Sequence, residues 1–130
     1  MGFVFEYDAK NKILRGIVQG QLTDEILREA YTAAENLVAS KGPCRGIWEF
    51  SGVTKFEATS SVIRELAHRA PIIPPGYMRV IVAPQTFVFG MMRMMQILGE
   101  KTRPELRVVR TLDEAYQLLE VKSPEFKPVS

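Results

Sequence analysis

Phe3–Tyr7 and Ile13–Val18 are strand-like apolar runs separated by the polar turn formers Asp8–Lys12, a spacing that predicts a hairpin. At Thr23 the period changes. Thr23-Asp24-Glu25 supplies an N-cap and two first-turn acids, and two sets of apolar residues then recur at helical spacing until Gly42-Pro43: Ile26, Ala30, Ala33, Leu37 and Leu27, Tyr31, Ala34, Val38. Arg45–Phe50 reads as a short strand. A second helix over about Glu57–Arg69 carries Val62, Ile63, Leu66, Ala67 and Ala70 on one face and stops at Pro71, Pro74, Pro75 and Gly76. Met78–Val82, with only Arg79 polar, suits a central strand buried on both faces. Phe87–Gly99 predicts a third helix, Leu106–Val109 a strand, and Thr111–Glu114 a capping box opening a helix with Leu112, Ala115, Leu118 and Leu119.

The resulting order, ββαβαβαβα, predicts an α/β fold with four helices on a mixed, mostly parallel five-stranded sheet whose first hairpin forms an antiparallel edge. Residues 1–121 form the expected domain, and residues 122–130, with two prolines and little periodicity, a loose tail. The expected core comprises Ile26, Ala30, Leu37, Ile47, Phe50, Leu66, Val80, Val82, Val108 and Leu118.

Composition agrees with one folded domain: 130 residues, 46% of them apolar and 25% charged. The net charge of +2 comes from basic residues scattered along the chain, which argues against nucleic acid as a partner. One cysteine, Cys44, forms no internal disulfide, and one histidine, His68, cannot build the usual multi-ligand zinc site, so no metal or other cofactor is expected. The N-terminus lacks the features of a signal peptide, and Glu6 stands where a myristoylation motif needs Ser or Thr. No apolar run approaches the roughly 20 residues of a membrane span. A cytoplasmic protein without membrane insertion is expected.

Two segments resemble a known family. Trp48–Ser61 is similar to the central signature of the sulfate transporter and anti-sigma factor antagonist (STAS) domain, a strand, a Ser-Gly-Val turn, then an acidic residue and hydroxyl residues opening a helix. Arg107–Leu119 resembles that domain's last strand and helix, and Ile81–Arg93 resembles a bacterial subgroup, the SpoIIAA-like proteins. The likeness runs from Phe3 to Val121 and implies a fold related to Sec14-type lipid-binding domains. In the anti-sigma factor antagonists an aspartate precedes two serines and a glycine, and the second serine accepts phosphate from a partner kinase. The matching positions here are Glu57, Ala58, Thr59 and Ser60, of which three depart from the pattern.

Thr59 and Ser60 are therefore candidate phosphorylation sites at a helix start, beside the ordinary reading of Thr59, Ser60 and Ser61 as capping residues. His68 falls on the polar face with Ser61 and Arg64, without a recognisable catalytic partner. Cys44 lies between Lys41 and Arg45 with no nucleophile motif around it, and the glycines are too dispersed for a phosphate loop. The third helix has Phe87, Met91, Met94, Met95 and Leu98 on one face, enough for a core. Val88, Phe89, Met92 and Ile97 extend the apolar surface around it. Phe87, Phe89, Met91, Met92 and Met95 are accordingly candidate residues for an interface or an apolar ligand. Two functions are expected from these features. The first is a non-enzymatic, STAS-like domain acting through a protein partner or a homo-oligomer, and the alternative is a binder of a lipid or other small apolar molecule.

Overall fold

The computed structural model describes residues 2–129. It is an α/β fold with ten elements: β1 (Phe3–Asp8), β2 (Ile13–Leu22), α1 (Asp24–Lys41), β3 (Arg45–Phe56), α2 (Ser60–His68), β4 (Arg79–Val82), α3 (Thr86–Leu98), β5 (Leu106–Val109), α4 (Leu112–Leu119) and β6 (Lys127–Val129). Local chemistry sets most boundaries. Thr23 caps α1 by accepting from the Ile26 N–H at 3.2 Å, and Gly42, at φ 89°, closes it by donating to the Val38 carbonyl. Thr111 and Glu114 form the expected reciprocal capping box of α4.

The strands lie in the order β5-β4-β3-β2-β1-β6. Strands β2 to β5 pair in parallel, and β1 is antiparallel to both β2 and β6. The sheet thus has six strands among the described residues, not five, with three parallel and two antiparallel pairings. Residues 127–129 are not loose: Lys127, Pro128 and Val129 pair with Tyr7, Glu6 and Phe5. Two prolines hid this strand, yet an edge strand tolerates proline because one row of its backbone groups is unpaired anyway.

Strands β2 and β3 both run past their expected ends at Val18 and Phe50. Ser51-Gly52-Val53, expected as a turn, is strand, paired beside Gln19 and Gly20 across two register shifts. Gly20 sits at φ 75°, a conformation that suits glycine within this irregular stretch. The longer β3 also delays α2, which starts at Ser60 instead of Glu57.

Because β2 to β5 neighbour one another in chain order, crossovers of one hand place α1, α2 and α3 on the same face. There Leu27 and Tyr31 of α1, Val62, Ile63 and Leu66 of α2, and Val88 and Met92 of α3 pack on Val18, Phe50, Ile81 and Leu106. The opposite face is covered by α4 and the chain after it: Ala115, Leu119 and Val121 pack on Ile13, Ile47, Val80 and Val82. Of the expected core, Ala30, Ile47, Phe50, Leu66, Val80 and Val82 are buried. Ile26, Leu37 and Val108 are only half-buried, because α1 turns its other apolar stripe to the sheet and Val108 lies on an edge strand. Leu118 is 40% exposed: α4 buries Ala115 and Leu119 and leaves Leu118 on its outer side.

Candidate functional site

Between α1 and the sheet the packing is incomplete. A cavity there offers about 40 Å³ to the centres of water-sized spheres. Its roof is Tyr31, Ala34 and Val38 of α1; its floor is Phe5, Leu14, Trp48 and Ile81 of the sheet. Ile72 and Ile73 from the α2–β4 loop and Met95 of α3 close its sides. A second void of about 20 Å³ shares Tyr31, Trp48, Ile81 and Met95 and adds Leu27, Phe50, Leu66 and Met92. Glycines shape the larger void. A Cβ on Gly16 would stand 2.6 Å from the Trp48 ring, and one on Gly46 would stand 2.6 Å from Ile73 Cδ1. The rigid Trp48 ring requires glycine at position 16, whereas Ile73 Cδ1, the end of a flexible side chain, has freedom to shift.

Two arginines reach this apolar space. Arg103, 2% exposed, lies in the loop before β5 and closes the C-terminal end of α2. Its Nη1 donates to the Ala67 carbonyl at 2.6 Å, and its Nη2 donates to the carbonyls of Leu66 and Arg69 and to the Tyr31 hydroxyl at 2.8–2.9 Å. Tyr31 in turn donates to the Ala70 carbonyl at 3.0 Å. These bonds satisfy carbonyls that a helix end leaves without partners.

Arg79, the first residue of β4, is 8% exposed and faces the same cavity. Its Nε is buried without a hydrogen-bond partner. Burial, and then the positive charge of Arg103, lower its pKa, while Tyr31 and Glu105 oppose the shift. Arg15 on the opposite face provides a contrast, being flanked by the carboxylates of Glu49 and Glu6.

The candidate residues fall in separate places. Thr59 is the N-cap of α2. Its hydroxyl accepts from the Val62 N–H at 3.3 Å and donates to Asp24 at 2.9 Å, while its own N–H donates to the same carboxylate at 2.6 Å. A phosphate on Thr59 would meet the negative charge of Asp24 directly. Ser60 is exposed in the first turn. His68 is exposed and its Nδ1 lies 2.7 Å from the Arg64 carbonyl, and Cys44 is buried, which raises its thiol pKa.

Helix α3 is turned differently from the expected arrangement. Val88 and Met92 are its buried residues, so Met92 belongs to the core and lines the smaller void. Met95 lines both voids, whereas Met91, Met94 and Phe89 are half-buried, Phe89 beneath the Arg110 guanidinium. Phe87, expected on the core face, is 63% exposed with its ring edge-on to Phe56, and Ile97 and Leu98 are exposed as well. Sequence reasoning missed Arg79 and Arg103 as site residues. An isolated arginine in a short apolar strand was the one available signal, since Arg103 sits in a loop that reads as solvated.

Among the described residues no group of three His, Cys, Asp or Glu side chains is placed to hold a metal, and no helix is long and apolar enough to cross a membrane. No protein-family model matches the chain, and no curated protein sequence matches it significantly.

Proposed function

We propose that this domain is a non-enzymatic binding module whose cavity beneath α1 receives a small apolar molecule. The cavity itself carries the reading. Protein interiors pack with few voids larger than a water molecule, whereas here a helix, five strands, the α2–β4 loop and Met95 leave one lined mostly by aliphatic and aromatic groups. The charged groups at its wall are guanidiniums, which donate hydrogen bonds and hold anions but do not take up protons. That supports binding over acid-base chemistry.

Native mass spectrometry of protein purified from its own host tests the reading. The chain should carry a small adduct that is released on denaturation. Ala34→Leu, which adds three carbons at the cavity roof, should fold and lose the adduct. A chain that is bare in every preparation, and whose melting temperature no small apolar molecule raises, would sink the proposal.

A second reading is favoured by the exposure of Phe87, Ile97 and Leu98 beside Phe56. In it, a STAS-like regulatory domain works through contacts of α3, most simply with a second copy of the chain. The element order of residues 3–121 supports the family part of this reading. Light scattering at high concentration should then show a dimer that Phe87→Ser with Ile97→Ser converts to monomer, and a wild-type monomer would reject it. Both readings take the setting to be cytoplasmic, in keeping with the free thiol of Cys44.

A further inference from the structure

The cavity holds an imbalance of charge. Arg79 and Arg103 are both almost fully buried, and they share the wall of one cavity. Burial and then the like charge of Arg103 both disfavour the charged form of Arg79. Arg103 spends its donors on helix-end carbonyls and Tyr31, so the backbone offsets its burial. Arg79 has no such compensation. Its Nε is an orphan, and the ion pairs among the described residues do not include it. Glu105 contributes to the field at Arg79, but its Oε1 accepts from the Gly76 N–H at 2.7 Å instead. A buried guanidinium without a counter-anion is costly, and natural chains rarely keep one without use.

We propose that the cavity takes a short-chain carboxylate, with the carboxylate on Arg79 and the hydrocarbon chain among Trp48, Ile81 and Met95. The proposal rests on the cavity reading above and adds the class of ligand. A single free guanidinium presents a planar fork that matches a carboxylate in a bidentate pair. Apart from Arg103, whose donors are engaged, the walls beyond Arg79 are mostly apolar, which suits a hydrocarbon tail. Size limits the chain length. A void of about 40 Å³ for sphere centres holds only a few waters, which suits a short chain. The adjoining 20 Å³ void shares four wall residues with it, and the two together are too small for a long fatty acid.

Titration of the full chain, followed by calorimetry and by amide NMR shifts, tests this with hexanoate, hexan-1-ol, decanoate and inorganic phosphate as probes. Hexanoate should bind about tenfold or more tightly than hexan-1-ol, because the alcohol keeps the tail and loses the charged pair. Decanoate should bind more weakly than hexanoate, and phosphate should leave the amides of Trp48, Ile81 and Met95 unmoved. Arg79→Met should erase the preference for acid over alcohol without lowering the melting temperature, since it removes an uncompensated buried charge.

Equal binding of hexanoate and hexan-1-ol to the wild type would overturn the role of Arg79 while leaving the cavity reading intact. Phosphate binding as tight as hexanoate would overturn the tail. Decanoate binding more tightly would overturn the short chain. Failure of both hexyl probes to bind would take the cavity reading down as well. Should Arg79→Met fail to fold, the wild-type comparison of acid with alcohol still decides.

Discussion

Asp8 has no solvent exposure, yet its side chain stays acidic. Burial by itself raises its pKa, but hydrogen bonds from the side chain and backbone of Asn11 and from the backbone N–H groups of Glu125 and Lys10 outweigh burial and lower it. The Asn11 N–H and Nδ2 donate at 3.0 and 2.8 Å, and the Glu125 N–H donates at 3.2 Å, so one carboxylate ties the β1–β2 turn to the chain leading into β6. A carboxylate with a depressed folded pKa contributes stability above its unfolded pKa of about 3.9, and that contribution is lost as pH falls through the folded value. Asp8→Asn should therefore cost about 1.5–3 kcal/mol near neutral pH. In urea denaturation at stepped pH, the gap between wild type and variant should close below about pH 3.9; a gap constant down to pH 2 would show that the charge is irrelevant.

At the scale of elements, α3 shows what an apolar pattern leaves open. A helix apolar on nearly every side has no strong preference for which stripe faces inward. Polar contacts decide the matter. Gln85 at the N-cap donates from Nε2 to the Phe50 and Val53 carbonyls at 2.9 and 3.0 Å, and Gln96 donates to the Leu106 carbonyl at 2.9 Å. Gly99 is buried, and a Cβ there would lie 3.4 Å from the Ala67 carbonyl. These anchors turn Val88 and Met92 inward and leave Phe87 and Ile97 outside. Met92→Ala should consequently lower stability by about 2–5 kcal/mol, while Phe87→Ser should change it by no more than about 0.5 kcal/mol. Thermal and urea unfolding of the two variants check this, and the reverse ranking would restore the expected orientation of the helix.

For the whole molecule, the last residues complete an edge. Strand β6 covers the outer side of β1, and Phe126 packs with the α4-side core and lies 5.3 Å beneath the Arg15 guanidinium. Deletion of residues 122–130 should leave the outer side of β1 unpaired, expose a new sheet edge and promote aggregation, without abolishing the α/β core. Light scattering with circular dichroism checks both halves of that expectation. Sequence by itself determined the elements whose signals are local: the span of α1 from its Thr23 cap and Gly42 stop, the capping box of α4, the strand Leu106–Val109 and the alternation that calls for helices on a sheet. Tertiary structure decided whatever depended on partners distant along the chain. The lengths of β2 and β3 depend on each other's pairing. The rotation of α3 depends on carbonyls from β3 and β5, and the edge strand β6 depends on a free side of β1 more than a hundred residues earlier. The cavity belongs to this second class, because periodicity marks a residue as apolar or polar but not the volume left between elements. Arg79 appears in the sequence as one cation in an apolar strand; its lack of a partner is a property of the packed molecule, set by the backbone geometry that satisfies Arg103 and turns Glu105 to Gly76.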